Sequence, residues 1–302
     1  MNKIKIIKNI NVSKKWDINS QHYPKIFRSN KNYFIGDENV FNNTFFRIGI
    51  IGTRKPSDYG VLILKKLLSR LKLLNILTVS GGALGIDSWV HKISIEKVIP
   101  TLSVLVGPIE KPSPQSNSGI FQRISTTKSC GLLVPGCLQP SVDFKLYRSH
   151  WLERNQWLVS MVDILVVVEA QVPSGTFSSV NAANRYNTPV YIFPGAIGNK
   201  SSEGTNKMIA LGLGEPISSI EEFIQLLRKK YSKIKNSLET DVLSQSNPSI
   251  IIEVLKRNQA SIHLDFLLER LSYMPQADVL LELSRLTVQK LVQIDNQQIT
   301  LL

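Results

Sequence analysis

The chain has 302 residues, of which 43% are hydrophobic, and carries 36 lysines and arginines against 23 aspartates and glutamates, a net charge of +13. The apolar content suffices for a sizeable core and excludes a disordered chain, two cysteines exclude a disulfide scaffold, and no apolar run approaches the length of a membrane span. The positive excess points to a polyanionic partner. It is also uneven: residues 241–302 hold 5 basic and 7 acidic side chains, leaving +15 on residues 1–240, so a polyanion is expected to meet the first part.

The opening stretch, MNKIKIIKNINVSKKWD, interleaves lysines with isoleucines and lacks the apolar block and cleavage site of a secretory leader, so a cytoplasmic protein is expected. Residues 1–45 read as an N-terminal extension. From residue 46 short β-branched runs alternate with Gly- or Ser-rich turns and helix-period stretches, the pattern of an α/β domain. The runs RIGII (47–51), ILTVS (76–80), TLSVLV (101–106), DILVVVEA (163–170) and PVYIF (189–193) are almost continuously apolar, as strands covered on both faces must be. Between the first two, Val61, Leu64, Leu67, Leu68 and Leu71 share one face of an amphipathic helix. Further helices are expected near 86–97, 149–161, 176–186 and 205–211. A capped helix at 218–231 begins with Ser219 three residues before Glu222 and ends on Arg228, Lys229 and Lys230. This domain spans 46–232. Residues 233–247 have a linker's composition. From 248 to 302 three short amphipathic stretches precede a period-2 hairpin with Asp295 and Asn296 at its turn, the outline of a small winged-helix domain. Its third helix carries Asp278 and Glu282 against Arg285, which favours protein contact over groove reading.

In an open parallel sheet, ligands bind beyond the carboxyl ends of the strands, where helix N-termini offer free N–H groups. Here those loops hold Gly52, Thr53, Arg54 and Lys55; then Ser80, Gly81 and Gly82 of SGGALGID; then KPSPQSN with Asn117; then QVPSGT with Ser174, Gly175 and Thr176; and last Pro194 and Gly195. Glycines admit a phosphate to the backbone, hydroxyls add donors, and Arg54 offers a planar fork of donors. Each element also has a plainer reading. A glycine can serve only a turn, Arg54 can pair with Asp58 or Asp87, and Ser174 to Thr176 can be only a helix cap. The convergence of several such loops on one edge favours an anion site.

Catalytic signals are absent. There is no G-x-G-x-x-G after the first strand and no P-loop, so no nucleotide cofactor is expected. Cys130 and Cys137 lack partners for a zinc site and read as reduced thiols. His91, on an apolar helix beside Trp89, reads as a packed histidine, and Glu169 has no second carboxylate near it by spacing. In HWLERNQWL (150–158), Trp151 and Trp157 are candidates for stacking on bases, but they lie on nearly opposite helix faces, so at least one is expected in the core, and Arg154 and Asn155 are the better ligand candidates.

Taken together, GTRKPSDYG (52–60), SGGALGID (80–87), SPQSN (113–117), RN (154–155), VVVEAQVPSGT (166–176), PG (194–195) and GTNKMIALG (204–212) resemble, in order and spacing, the DNA-processing protein A family, also called DprA or Smf. The resemblance spans about 160 residues. It implies an extended Rossmann-like, doubly wound and mainly parallel sheet that binds single-stranded DNA. It also implies a role in natural transformation, loading of the RecA recombinase, a homodimer, and neither catalysis nor a cofactor. Carried over by position, the DNA-binding residues are Arg54, Lys55, Ser80, Gly81, Gly82, Asn117, Arg154, Asn155, Ser174, Gly175 and Thr176. The chain departs from the family at Leu84 and Gln156, where arginines are usual, at Ser113, where a tyrosine is usual, and at VPGCLQP, which replaces an acidic segment. Fewer pocket charges imply weaker or more salt-sensitive binding. The competing reading is a phosphoribohydrolase of the lysine-decarboxylase-like group, whose PGGxGT loop and following glutamate are only partly matched by PSGTFSS.

Overall fold

The structure is a computed structural model that describes residues 4–7, 32–138, 148–231, 250–258, 261–271, 276–288 and 291–302. The chain divides into two compact units, Met1–Glu239 and Thr240–Leu302. The expected linker at 233–247 lies outside the described residues.

The first unit is built on a nine-stranded sheet. Its strands are β1 (Lys5–Ile7), β2 (Asn32–Gly36), β3 (Phe46–Ile51), β4 (Ile76–Ser80), β5 (Thr101–Val104), β6 (Cys130–Pro135), β7 (Ile164–Val167), β8 (Val190–Ile192) and β9 (Glu215–Pro216), in the spatial order β1-β2-β6-β5-β4-β3-β7-β8-β9. All neighbours from β6 through β9 run parallel, whereas β1 and β2 are antiparallel additions at one edge. Asn32–Gly36, inside the expected extension, thus completes the sheet by pairing with Gly131–Pro135. Every residue of β3, β4, β5, β6, β7 and β8 is buried, which accounts for their unbroken apolar runs.

Helices α1 (Asp58–Leu71), α2 (Ile86–Glu96), α3 (Ser118–Thr126), α4 (Arg148–Ser160), α5 (Thr176–Arg185), α6 (Glu203–Ala210) and α7 (Ile220–Lys230) cover the sheet. One core joins Leu64, Leu67, Leu68 and Leu71 of α1 with Ile86, Val90 and Ile93 of α2 and Phe223 and Leu227 of α7, over Ile48 and Ile50. The other joins Trp157 and Leu158 of α4 with Val180 and Ala183 of α5, over Val79, Leu102 and Val167. Val61, expected on the buried face of α1, is half-buried, and Gly60 takes its place because a side chain there would overlap the Glu169 carboxylate.

From β3 the chain winds outward through β4, β5 and β6, then returns to place β7 on the other side of β3. This reversal puts a crevice beyond the carboxyl ends of β3 and β7. The two segments stay joined there: Val168 N–H donates to Ile51 O at 3.1 Å and Thr53 N–H to Glu169 O at 2.8 Å.

The second unit comprises α8 (Ile250–Arg257), α9 (Leu264–Arg270) and α10 (Gln276–Val288) with a three-stranded antiparallel sheet of β10 (Ser261–His263), β12 (Gln298–Leu301) and β11 (Val292–Asp295). The expected three helices and hairpin are present, with β10 added. The turn is one residue later than expected. Asp295 pairs with Gln298, leaving Asn296 and Gln297 as the loop, both at positive φ. Val292 and Ile299 point into the core and fix that register.

Candidate nucleic-acid interface

Three side chains organise the strand-end crevice. Trp151 of α4 lies beside two guanidinium groups, with Arg54 Cζ 5.9 Å and Arg154 Cζ 5.8 Å from its ring centroid. Arg54 is exposed on the loop after β3, while Arg154 is only 6% exposed. The Arg154 guanidinium occupies the space beside Gly81, where a Cβ would overlap Nη1, and its Nη1 stands 3.8 Å from Asp87 Oδ2. Its Nε has no hydrogen-bond partner among the described residues.

Burial pulls the Arg154 guanidinium below its ordinary range, Asp87 opposes that shift, and the nearby Arg54 charge adds to it. Burial likewise pushes the Asp87 carboxyl up, against the attraction of Arg154 and hydrogen bonds from Ala83, Ser80 and Gly81. An arginine stays charged even so. The crevice therefore holds a buried, loosely paired cation beneath an exposed one, and an anion at its mouth relieves their mutual repulsion. Of the two partners considered for Arg54, Asp87 instead serves Arg154.

The eleven expected residues converge on this edge but divide by exposure. Arg54, Lys55 and Gly175 are exposed, Asn155 and Ser174 are half-buried, and Ser80, Gly81, Gly82, Asn117, Arg154 and Thr176 are buried or nearly so. The buried set holds the loops. Ser80 Oγ–H donates to Ile50 O at 2.7 Å, and the Asn117 amide donates to Gly82 O at 2.9 Å and Ala83 O at 3.2 Å. Thr176 N–H donates to Ser174 Oγ at 3.1 Å, so this serine closes the turn before α5, whose N-cap is Gly175. The Asn155 amide donates to Ser178 Oγ at 2.8 Å, which donates in turn to Gly175 O at 2.7 Å, tying α4 to the loop before α5.

The Arg54 loop is fixed from both sides. Ser57 begins α1, accepting from Gly60 N–H at 3.2 Å, and the buried Glu169 accepts from Ser57 N–H at 2.9 Å and from its hydroxyl at 2.5 Å. Glu169 is thus an anchor at a helix N-terminus, where a carboxylate is favoured. Gly85, at φ +80°, brings the start of α2 against the backbone of Arg54, where a Cβ would collide. Tyr59 O–H donates to Pro194 O at 3.0 Å, and Asn206 clasps Gly195 through its side-chain amide, accepting at 3.1 Å and donating at 3.0 Å. The PG and GTNK segments therefore brace the crevice.

Trp151 is the residue that the sequence pattern undervalues. Its spacing from Trp157 is the available signal: Trp157 is 1% exposed within the core, whereas Trp151 packs on the edge of that core and stays half-buried. Gln156 accepts from Tyr186 O–H at 2.9 Å and so faces α5, and Leu84 is 44% exposed. His91 is fully buried, with Nδ1 2.8 Å from Thr101 Oγ1, and burial alone drives it down to about 3. It is a packed, neutral histidine, as expected. Cys130 is a buried free thiol pushed up to about 11 by burial. Among the described residues no cluster of His, Cys, Asp and Glu has the makings of a metal site, and no helix is long and apolar enough to cross a membrane.

The family model of DNA recombination-mediator protein A matches residues 16–228. The chain is 26% identical over 178 residues to a putative DNA processing protein DprA of Mycobacterium tuberculosis, covering 59% of this chain and 44% of that protein. It is 26% identical over 184 residues to DNA processing protein DprA of Bacillus subtilis, covering 61% and 60% respectively. The alignments thus span about half the length of these relatives. Among solved structures, DNA processing protein A of Helicobacter pylori, which binds single-stranded DNA, superposes with a TM-score of 0.62 at 26% identity, over 76% of this chain and all of that one. The Streptococcus pneumoniae protein shares the fold, with a TM-score of 0.58 over 70% of this chain and 72% of that one at 20% identity. By the match across residues 16–228 and the crevice that those residues build, the chain belongs to the DNA recombination-mediator protein A family.

Proposed function

We propose that this protein binds single-stranded DNA at the carboxyl ends of β3, β4 and β7, with phosphates on Arg54 and Lys55 and a base against Trp151. The observation that carries the reading is that an exposed guanidinium, Arg54, and a buried one, Arg154, both lie within 6 Å of the half-buried Trp151 ring, at 5.9 Å and 5.8 Å from its centroid, at the strand-order reversal. A flat ring beside cations suits a flexible strand, whose unpaired bases are free to stack, better than a duplex, whose bases are not. The net +15 of residues 1–240 supports a polyanion, and the single-stranded DNA bound by the Helicobacter pylori relative supports this one.

The finer role follows the family resemblance. The protein binds and protects single strands in the cytoplasm during DNA uptake and recombination, helps load a RecA-type recombinase, acts as a homodimer, and performs no catalysis. Competition tests the core of the reading. A labelled oligothymidine held by the full chain should be displaced by unlabelled single strand far more readily than by duplex of equal length. Equal displacement by both contradicts it.

A further inference from the structure

Trp89, on the first turn of α2, is half-buried and carries two ammonium groups over its ring: Lys92 Nζ at 4.6 Å and Lys65 Nζ of α1 at 5.6 Å from the centroid. Its inner edge packs on the core beneath α1 and α2. The platform adjoins the crevice. Gly85 presses on the Arg54 backbone, and Trp89 N–H donates to Gly85 O at 3.0 Å, so Trp89 lies four residues, about 6 Å, along α2 from that point. The Arg54 loop thus lies beside Trp151 of α4 and reaches the start of α2, which carries Trp89, through Gly85. The fully buried apolar positions of this helix are Ile86, Val90 and Ile93, and Trp89 packs beside them while leaving part of its ring exposed.

Resting on the reading of the crevice as a single-strand site, we propose that Trp89, Lys65 and Lys92 form a second nucleotide platform, which takes the strand as it leaves Arg54. Lysines resting on a solvent-facing part of the ring gain little from it, whereas a base stacked on the same ring gains more and frees both ammonium groups for the flanking phosphates.

The test is a length series of oligothymidines, from about 4 to about 16 nucleotides, a range of site sizes common among single-strand binders. It compares the full-length protein with Trp89→Ala, Trp89→Phe, the Lys65→Glu/Lys92→Glu pair and Arg54→Ala. Trp89→Ala should weaken binding of the long strands roughly 5- to 100-fold and spare the shortest. Trp89→Phe should retain most affinity. The lysine pair should also weaken the long strands and make the salt slope shallower by about 0.7 for each phosphate no longer neutralised. If Trp89→Ala does not fold, the lysine pair decides. Wild-type affinity at every length in the Trp89 and lysine variants, with weakening in Arg54→Ala, overturns the platform and leaves the crevice reading standing. Equal weakening at all lengths also overturns it. Failure of the wild-type chain to bind any strand overturns both readings.

Discussion

Gly81 lies so close to Arg154 that a methyl group on residue 81 would overlap the guanidinium Nη1. Gly81→Ala is conformationally permissible, because this glycine is not at positive φ. The methyl group must displace the guanidinium from Asp87 and from Trp151. Overpacking of this kind costs about 1–3 kcal/mol, which denaturant unfolding will read, and single-strand affinity should fall with it. Wild-type stability and affinity in the alanine variant would show that Arg154 is not positioned by its packing on Gly81.

Glu169→Gln should lower stability by about 1–3 kcal/mol, because it removes a buried carboxylate that accepts two hydrogen bonds from Ser57 at the start of α1. Since Ser57 ends the Arg54 loop, binding of oligothymidine should weaken as well, without Glu169 touching DNA. Unfolding curves and anisotropy on the same preparation separate the two effects.

His91 gives a signed pH dependence. Its folded value is driven by burial from 6.5 to about 3, so an unfolded chain takes up a proton that the folded one refuses. Its stabilising contribution is complete above 6.5 and is lost as the pH falls toward 3, at up to about 1.4 kcal/mol per pH unit. Asp87 acts oppositely: its raised value means that its contribution is present below 3.8 and lost as the pH rises through its folded value. Urea unfolding of the wild type and His91→Asn between these limits isolates the histidine by difference. As the pH falls through this window the wild type should lose stability relative to the variant, and a difference that does not change with pH would contradict this.

Deleting the residues after Asn247 should change single-strand affinity by less than about tenfold. Residues 241–302 carry a net −2 and add no attraction for phosphate. Titration of the truncated chain with oligothymidine checks this, and a larger drop would give the second unit a part in DNA binding.

The central strands are legible in the sequence because each is buried on both faces, so β3, β4, β7 and β8 show as unbroken apolar runs. One fully buried strand nevertheless escapes: β6, CGLLVP, is absent from the expected runs because its three aliphatic residues are enclosed by Cys-Gly and Pro. The other misses are marginal. β2, NYFIG, is only partly buried and pairs at the sheet edge, and α3, SGIFQRIST, buries just Phe121 and Ile124 among weak helix formers. The loops of the crevice are legible as a set because glycine and hydroxyl residues cluster at strand ends. Their division of labour is not. No local pattern tells that Arg154 is buried against Gly81 while Arg54 stays exposed, because that packing joins residues 73 apart in the chain.

The most direct test of the account is equilibrium binding of a labelled oligothymidine to the wild type and Arg54→Ala across several salt concentrations. The account predicts salt-dependent binding by the wild type. In Arg54→Ala it predicts weaker binding and a slope shallower by about 0.7, the share of one neutralised phosphate on a single strand. Identical affinities and slopes for the two proteins would contradict it.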